Sequence, residues 1–278
     1  MQRRIALVTG GSKGIGFGIA KALARRDYDL ALVARNLEDL THARESIKRE
    51  HPSVEVHAIS ADLTKTEGYE RIVELITGHY GQLDVHVNNA GDFAMLPAVR
   101  NGLKRDSPAE LATDVTNLYL VNAVPPSIFA LVLRNLQLAA PEPKQLDVLS
   151  SAALEIFPGN IPYGPTKSDH ERLSLQVVAD SAGKIKTYRV YPSNTDTRIV
   201  AGFEGPKMTP DQVGEEAVAM LVDDTATDLY MKLAKQGIVT AHARVDYAAH
   251  AADGLALVQA HRDAVATYLL PAVRQARD

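Results

Sequence analysis

The stretch RIALVTGGSKGIGFGIAKALARR, residues 4–26, joins an apolar run to a glycine-rich turn and then to a helix-like repeat. The apolar run has no alternation with polar residues, which is typical of a strand buried on both faces of a parallel sheet. Gly10, Gly14 and Gly16 precede the repeat, in which apolar residues recur at spacings of three and four. The stretch therefore predicts a strand, a tight turn and a helix, the first unit of an open α/β sheet.

The same alternation continues along the chain. Further apolar runs are DLALVAR (29–35), VEVHAIS (54–60), LDVHVNNAG (83–91), QLDVLSS (145–151) and IKTYRVYPS (185–193). Helix-like stretches between them include NLEDLTHARESIKREH (36–51) and TEGYERIVELITGHYG (66–81). Repeated strand and helix units favour parallel pairing through right-handed crossovers. We expect a doubly wound parallel sheet, a Rossmann fold with three αβα layers.

The second half of the chain is predicted to be richer in helix. A long helix is expected to begin at Ser107-Pro108 and to bend at Pro125-Pro126. Residues 200–278 contain no obvious strand, so we expect a variable substrate loop followed by a helical C-terminal region. With no linker or repeat in view, residues 1–278 are interpreted as a single domain.

Composition narrows the possible partners. The chain has 278 residues, a net charge of −4 and a pI near 6.1, and its basic residues are scattered among acids. Neither nucleic acid nor an anionic membrane is indicated as a partner. There is no cysteine, so neither a disulfide framework nor a thiolate metal site can form, and we expect no metal. The start MQRRIALVTG is too short in apolar residues for a signal sequence, which favours a soluble cytoplasmic protein.

The glycine turn has the chemistry of a dinucleotide site. Glycines permit a tight turn and a close approach of pyrophosphate, and the following helix N-terminus offers amide donors. After the second strand the sequence has Ala34 and Arg35, where a carboxylate would usually bind the ribose of NAD. Arg35 and Lys13 could instead hold a 2′-phosphate, so together they favour NADP(H). The alternative is that both are solvated surface charges.

A tyrosine and a lysine are spaced for one helix face. In IPYGPTKSD, residues 161–169, Tyr163 and Lys167 are four apart, so the phenol and the ammonium can meet on a helix. With TGGSKGIG (9–16) and NNAG (88–91), this Y-x-x-x-K pair resembles the short-chain dehydrogenase/reductase family over roughly residues 4 to 200. The three motifs come in that family's order and at its distances.

The resemblance implies four catalytic residues. Tyr163 would be the acid/base, Lys167 would lower its pKa and hold the nicotinamide ribose, and Asn122 would complete a proton relay. The spacing leaves both Ser150 and Ser151 within range of the tyrosine, and the resemblance places the carbonyl-polarising serine at Ser151. A serine pair can also cap a helix, and Asn122 can be a satisfied core amide.

The resemblance also extends the cofactor site. Asp62 and Leu63 would contact the adenine, Asn89 to Gly91 the adenosine half, and Thr197 the nicotinamide carboxamide. The predicted cofactor-binding residues are Gly10, Ser12, Lys13, Gly14, Ile15, Gly16, Arg35, Asp62, Leu63, Asn89, Ala90, Gly91, Tyr163, Lys167, Pro192, Ser193, Thr195 and Thr197.

Together these residues predict a function. We expect a carbonyl reductase-like oxidoreductase that reduces a ketone or aldehyde with NADPH, or oxidises the secondary alcohol, as a homo-oligomer, either dimer or tetramer. Residues 92–108 and 200–240 are expected to line the substrate pocket. Two alternatives remain open at this point: an epimerase or dehydratase on the same fold, and a non-catalytic NADP(H)-sensing regulator.

Overall fold

The computed structural model describes residues 3–93, 107–156, 160–197, 207–234 and 237–276. Its strands are β1 (Ile5–Thr9), β2 (Asp29–Ala34), β3 (Val56–Ser60), β4 (Val85–Asn88), β5 (Lys144–Val148), β6 (Lys186–Pro192), β7 (Asp228–Ala234) and β8 (Gly237–Ala243). Its α-helices are α1 (Gly14–Ala24), α2 (Leu37–Glu50), α3 (Thr66–His79), α4 (Pro108–Asn122), α5 (Val124–Val132), α6 (Arg134–Ala139), α7 (Ser151–Leu154), α8 (Tyr163–Asp180), α9 (Pro210–Asp223), α10 (Gly254–Ala264) and α11 (Leu270–Gln275).

The strands form one sheet in the order β3-β2-β1-β4-β5-β6-β7-β8. Pairing is parallel from β3 to β7, and the helices cover both faces of the sheet, so the expected doubly wound Rossmann fold is confirmed. All five residues of β1 are buried, as its apolar sequence predicts, and all five of β5 are buried although Lys144, Gln145 and Asp147 are polar. The strand order reverses between β1 and β4. In such sheets ligands bind at that reversal, at the carboxyl ends of the strands.

Helix α1 lies unusually close to α9. A Cβ built on Gly18 would lie 2.3 Å from the carbonyl oxygen of Pro210, and one on Gly214 would lie 2.3 Å from the carbonyl carbon of Gly18. Glycine at both positions therefore allows the two backbones to touch. Ion pairs flank the contact. Lys21 donates to Asp211 at 2.6 Å, and Glu215 accepts from Arg25 at 2.6 Å and from Arg26 at 2.7 Å.

The expectation that residues 200–278 lack a strand is wrong. Strand β7 extends the parallel sheet beside β6, and β8 returns antiparallel to β7 as the last strand. A fully buried ion pair crosses from β6 to β7, in which Arg189 Nε donates to Asp228 Oδ1 at 2.6 Å. The Tyr247 hydroxyl also donates to Asp228, at 2.8 Å. Buried charges of this kind need partners, and the sheet supplies them. Helix α9 precedes β7, and helices α10 and α11 follow β8, so the predicted helical region is interrupted by the hairpin of β7 and β8.

The long helix predicted after Ser107 is broken where expected. It is interrupted at Ala123, between α4 and α5, two residues before Pro125. By length and composition alone, residues 108–132 could cross a membrane. In the structure Leu118, Asn122 and Phe129 are buried, and Phe129 belongs to the core beneath the sheet. These side chains pack one face of the segment against the α/β domain.

Candidate active site

A crevice of about 850 Å³ opens at the carboxyl ends of the parallel strands, where the strand order reverses. Its walls come from the turn after β1, the segments that follow β2, β3, β4, β5 and β6, the first turns of α8, and one residue of β7. The volume falls within the range of about 300–1,000 Å³ that small-molecule and cofactor sites occupy. The described part of the chain thus offers a ligand site at the position that the fold favours.

The turn after β1 is shaped for a phosphate group. Gly10 and Gly14 have φ angles of +66° and +57°, a backbone region that favours glycine. Helix α1 begins at Gly14, and its N-cap residue Lys13 makes no side-chain capping bond to the first-turn amides. Those amides and the helix dipole favour an anion. The turn therefore fits the pyrophosphate of a nicotinamide dinucleotide.

The segment after β4 is tied to the glycine turn. The Thr9 hydroxyl accepts from the amides of Asn89 at 2.9 Å and Ala90 at 3.0 Å, and the Asn89 side chain donates to the carbonyl of Thr9 at 2.8 Å. A Cβ on Gly16 would lie 2.4 Å from Asn89 Nδ2, so Gly16 permits this approach. The NNAG motif thus fixes the floor of the crevice to the end of β1.

Asn122 is buried, and its amide is fully occupied. Its Oδ1 accepts from the Asp92 amide at 2.8 Å, and its Nδ2 donates to the Asp92 carbonyl at 3.0 Å and to Thr166 Oγ1 at 3.2 Å. The side chain links the end of α4 to the segment after β4 and to α8. Of the two interpretations open from the sequence, the contacts match a satisfied core amide that positions its neighbours, and its part in a relay stays a prediction.

Ser150, not Ser151, lies beside the tyrosine. The hydroxyls of Ser150 and Tyr163 are hydrogen-bonded, whereas Ser151 is the buried first residue of α7. Ser150 still has extended backbone angles, φ −166° and ψ 155°, and its Oγ accepts from the Ala152 amide at 3.2 Å. This geometry favours Ser150 as the polarising serine, but Ser151 also lines the crevice, so its placement as the polarising serine stays a prediction. Extended backbone continues beyond β5 as far as Ser150, the last residue before α7. Ser150 is the residue that faces the phenol.

Tyr163 lies in an apolar setting. Its ring packs edge-on against Phe93, with centroids 4.6 Å apart. Burial raises the pKa of Tyr163 to about 12, against the lowering effect of the Ser150 hydrogen bond. The phenol is therefore protonated throughout the neutral pH range. The expected lowering of the Tyr163 pKa by Lys167, whose Nζ lies on the same side of the helix, stays a prediction.

Lys167 lies one helical turn after Tyr163 and is buried. Its Nζ donates to the Val148 carbonyl at 3.1 Å and lies 5.9 Å from the centroid of the Tyr163 ring. Burial lowers the pKa of Lys167 to about 8, while the charge of Asp147 acts in the opposite direction. Its ammonium borders the crevice with Gly91, where a Cβ would come within 3.7 Å of Nζ.

A buried polar cluster lies beneath Lys167 and centres on Asp147. This carboxylate accepts from His170 Nε2 at 3.0 Å, from Asn88 Nδ2 at 2.8 Å, and from Gln145 Nε2 at 3.0 and 3.1 Å. Burial alone would raise the pKa of Asp147, but these hydrogen bonds, led by His170, hold it at about 2. The Asp147 carboxylate is therefore negatively charged, and it lies next in sequence to Val148, whose carbonyl accepts from Lys167.

The other end of the crevice carries charged residues from β2 and α2. Arg35 is exposed and lines the crevice near Asp62. Lys13 also lines it, but its ammonium pairs with Asp39 at 2.9 Å. Asp39 is itself a lining residue. The sequence did not indicate this pairing, and it leaves Arg35 as the cation better placed for a phosphate.

The family model described as short chain dehydrogenase matches residues 4–206. This chain belongs to that family. An uncharacterised oxidoreductase of Listeria monocytogenes is 29% identical over 203 residues, which cover 72% of this chain and 77% of the relative. The short-chain dehydrogenase described here is accordingly an enzyme of the oxidoreductase class.

Solved structures share its fold. An alcohol dehydrogenase of the archaeon Thermococcus sibiricus, complexed with 5-hydroxy-NADP, superposes with a TM-score of 0.69 at 24% identity, covering 82% of this chain and 95% of that one. A 3-oxoacyl-[acyl-carrier protein] reductase of Brucella melitensis in complex with NAD gives 0.67 at 23% identity, covering 83% and 96%. At these identities the likeness establishes the fold of this short-chain dehydrogenase.

Most residues predicted for the cofactor meet in one place. Among the described residues, Gly16 and Asn122 stand behind the crevice wall, and the other predicted site residues line it. Sequence reasoning missed Asn160 in the lining, whereas Asp92 and Phe93 fall in the range 92–108 that was expected to line the substrate pocket. Of the two stretches expected there, residues 94–106, 200–206 and 235–236 lie outside the described residues. Lys232, within the range 200–240, does line the crevice.

Asp147 was also missed, and its charge gives a testable expectation in this short-chain dehydrogenase. In Asp147→Asn the negative charge near Lys167 is lost, so the pKa of Lys167 should fall below about 8. Its ammonium would then lose its proton at a lower pH. We would follow the Lys167 ε-signal by NMR over a pH series in lysine-labelled protein, with Lys167→Met used to assign it.

The matched control for that titration is Asp84→Asn. Asp84 is a buried carboxylate that accepts from the Ile5 amide at 2.9 Å at the amino end of β4, the opposite edge of the sheet. This control should leave the Lys167 midpoint where it is. An unchanged midpoint in Asp147→Asn would show that the carboxylate does not act on Lys167.

Proposed function

We propose that the protein is an NADP(H)-dependent oxidoreductase that interconverts a ketone or aldehyde and its alcohol, with Tyr163 as the acid/base. The observation that carries the proposal is the hydrogen-bonded Ser150 and Tyr163 pair, which opens onto the crevice with Lys167 beside it. Two hydroxyls converging on one point are suited to binding a carbonyl oxygen.

In this mechanism the protein holds the substrate oxygen and moves a proton. Ser150 donates to the carbonyl oxygen, and Tyr163 transfers its phenolic proton to that oxygen as negative charge develops there. Lys167 lies beside the phenol, and its ammonium would hold the sugar of a dinucleotide in the crevice. The nicotinamide group, when bound, supplies or accepts the hydride. Asn122 fixes the segment that carries Asp92.

The protonation state of Tyr163 supports the reductive direction. With its pKa raised by burial to about 12, the phenol carries the proton that a carbonyl oxygen needs. A phenolate, which alcohol oxidation would require, is disfavoured in the described structure. In the reductive direction the phenol is therefore already in the form that donates the proton.

The proposed cofactor is NADP(H), and Arg35 supports this choice. Its guanidinium is exposed at the end of β2, where it can pair bidentately with a 2′-phosphate. Asp62 is the neighbouring carboxylate, and its side chain accepts from the Thr64 amide at 3.0 Å and hydroxyl at 2.8 Å. The acid therefore has its own partners, which leaves the guanidinium available to a phosphate.

We expect NADPH to bind more tightly than NADH, and Arg35→Ala to remove most of the difference. A charge-assisted contact of this kind is worth about 1.5–3 kcal/mol, so NADPH should weaken by roughly 10- to 100-fold while NADH changes little. The dissociation constants of both cofactors would be measured by calorimetry.

Lys13→Ala is the comparison for that experiment. Because its ammonium already pairs with Asp39, its loss should cost NADPH less affinity than the loss of Arg35. Equal affinities of the wild type for the two cofactors would refute the assignment to NADP(H).

The catalytic proposal is tested by a panel of ketones and aldehydes, with NADPH consumption followed by absorbance. Turnover of at least one carbonyl compound, absent in Tyr163→Phe, is the expected result. Tight cofactor binding without turnover of any member would instead favour a regulator that senses NADP(H).

We also propose the setting in which the enzyme works. Its substrate would be a small carbonyl compound or alcohol, it would have no nucleic acid or membrane partner, and it would act in the cytoplasm. We propose a homo-oligomer, a dimer or a tetramer. The apolar side chains exposed along α4 and α5 support assembly, and they are Val115, Tyr119, Leu131 and Val132.

A further inference from the structure

Lys232 brings a positive charge to the crevice from β7, a strand that the sequence did not reveal. Pro192 of β6 pairs with Met231 of β7, and the Ser193 amide donates to the Met231 carbonyl at 2.9 Å. Lys232 is the next residue, and it lines the crevice together with Ser193, Asn194 and Asn160. The register of the sheet thus places it beside the segment that follows β6.

The strand order identifies which part of the crevice Lys232 serves. Strand β7 is two places from β5, which ends just before Ser150, and five places from β2, which ends at the Arg35 side. With neighbouring strands about 4.8 Å apart, β7 lies about 10 Å from β5 and about 24 Å from β2. A lysine side chain on β7 therefore reaches toward the reacting carbonyl and away from the adenosine end.

The ammonium of Lys232 has no ion-pair or hydrogen-bond partner within the part of the chain that the structure describes. Lys232 is only partly exposed to solvent. The other lysines of the lining are engaged, Lys13 by Asp39 and Lys167 by the Val148 carbonyl. A partly buried charge is costly unless it is paired, and a ligand anion would pair it.

The acids of the crevice lie elsewhere. Asp39 and Asp62 belong to the adenosine end, and Asp92 follows β4, which is three places from β7 in the strand order. The part of the lining formed by β6 and β7 contributes Ser193, Asn194 and Lys232 instead. Its only formal charge among the described residues is positive, so this part of the crevice favours an anion.

We propose that Lys232 binds a carboxylate of the substrate, so that the enzyme acts on carbonyl compounds that carry a carboxylate several bonds from the reacting carbon. The proposal rests on the function proposed above, because it takes the carbonyl to be held by Ser150 and Tyr163. A single ammonium on a flexible stem matches a monoanion better than a phosphate dianion, which usually recruits an arginine fork or a helix N-terminus. The separation of the strands allows about three to five bonds between the two groups.

The test compares ketones that differ in charge alone. The probes are 5-oxohexanoate and 6-oxoheptanoate, each with its methyl ester, and their dissociation constants are measured by calorimetry on protein saturated with NADP⁺. No turnover is needed for this measurement. Wild type should bind at least one acid at least tenfold more tightly than its ester, and Lys232→Met should reduce the affinity for the acid to that of the ester.

Two further variants keep the test interpretable. Lys232→Arg retains the charge and should keep part of the preference for the acid, which a purely structural role of Lys232 would not predict. Lys184→Met removes an exposed lysine just before β6, at the opposite edge of the sheet, and should leave both affinities unchanged.

The outcomes separate this proposal from the function on which it rests. If wild type binds acid and ester alike, or if Lys232→Met keeps the preference, the carboxylate site is overturned even when the esters are reduced with NADPH. If the acids bind preferentially through Lys232 but no carbonyl compound is reduced, the site stands and the reductase function fails.

Discussion

Tyr163→Phe should lose nearly all turnover and still bind the cofactor. The substitution removes one oxygen atom and leaves the ring against Phe93, so the packing at 4.6 Å between centroids is kept. What is lost is the proton donor and one of the two hydroxyls that hold the carbonyl oxygen. Proton transfer by a positioned side chain contributes about 10²–10⁴ in rate, and we expect a loss of that order in kcat with a ketone that wild type reduces.

The control for this substitution is Tyr268→Phe, which removes the hydroxyl of an exposed tyrosine near the C-terminus. It should leave kcat and cofactor affinity unchanged. Wild-type rates in Tyr163→Phe would show that another group donates the proton. A parallel loss of cofactor affinity would show instead that the phenol serves binding.

Ser150→Ala should lower kcat by about 10²–10³, while Ser151→Ala should change it little. Ser150→Ala removes a hydrogen-bond donor aimed at the negative charge that develops on the carbonyl oxygen. The loss of one such donor lowers kcat by about 10²–10³ in other active sites. Ser151→Ala removes a hydroxyl that is buried at the start of α7. Both variants would be assayed at saturating NADPH with the same ketone.

The comparison also has an internal check on structure. Ser150 caps α7 by accepting from the Ala152 amide, so Ser150→Ala could act by loosening that helix. Ser150→Thr keeps a hydroxyl for both contacts and should restore much of the rate. Similar losses in Ser150→Ala and Ser151→Ala would mean that the two serines act as a unit, and a large loss in Ser151→Ala alone would reverse the assignment.

Strands β1 and β2 could be predicted because parallel pairing buries both of their faces. The burial of β1 on every residue leaves a continuous apolar signal that a single sequence shows. The Tyr163 and Lys167 pair was likewise visible, because four residues on a helix return the chain to the same face. His170 continues that face one turn further, and this spacing could have indicated the buried cluster at Asp147.

Strands β7 and β8 could not be recognised in the same way. Strand β7 starts with Asp228, whose charge is acceptable only because Arg189 from β6 meets it in the core. Strand β8 is the last of the sheet, and several of its residues remain accessible to solvent, so its apolar signal is diluted. The partners that make these segments strands are distant in sequence, and a window of residues does not contain them.

The sequence left the choice between the two serines open for a local reason. Alternation along a strand predicted that one of them faces the tyrosine, but not where the strand would stop. Extended geometry ends with Ser150, and Ser151 already belongs to α7. Lys13 is a similar case, because its ion pair with Asp39 joins the glycine turn to α2 and follows from the packing of those two elements.

The contact between Gly18 and Gly214 has a consequence for the order in which the chain acquires structure during synthesis. The face of α1 that lies against α9 belongs to the second element of the chain, whereas α9 is translated after most of the domain. That face and its cations Lys21, Arg25 and Arg26 therefore stay exposed to solvent until residues 210–223 have left the ribosome. The helix that presents its N-terminus to the dinucleotide is among the first parts made and among the last to be fully enclosed.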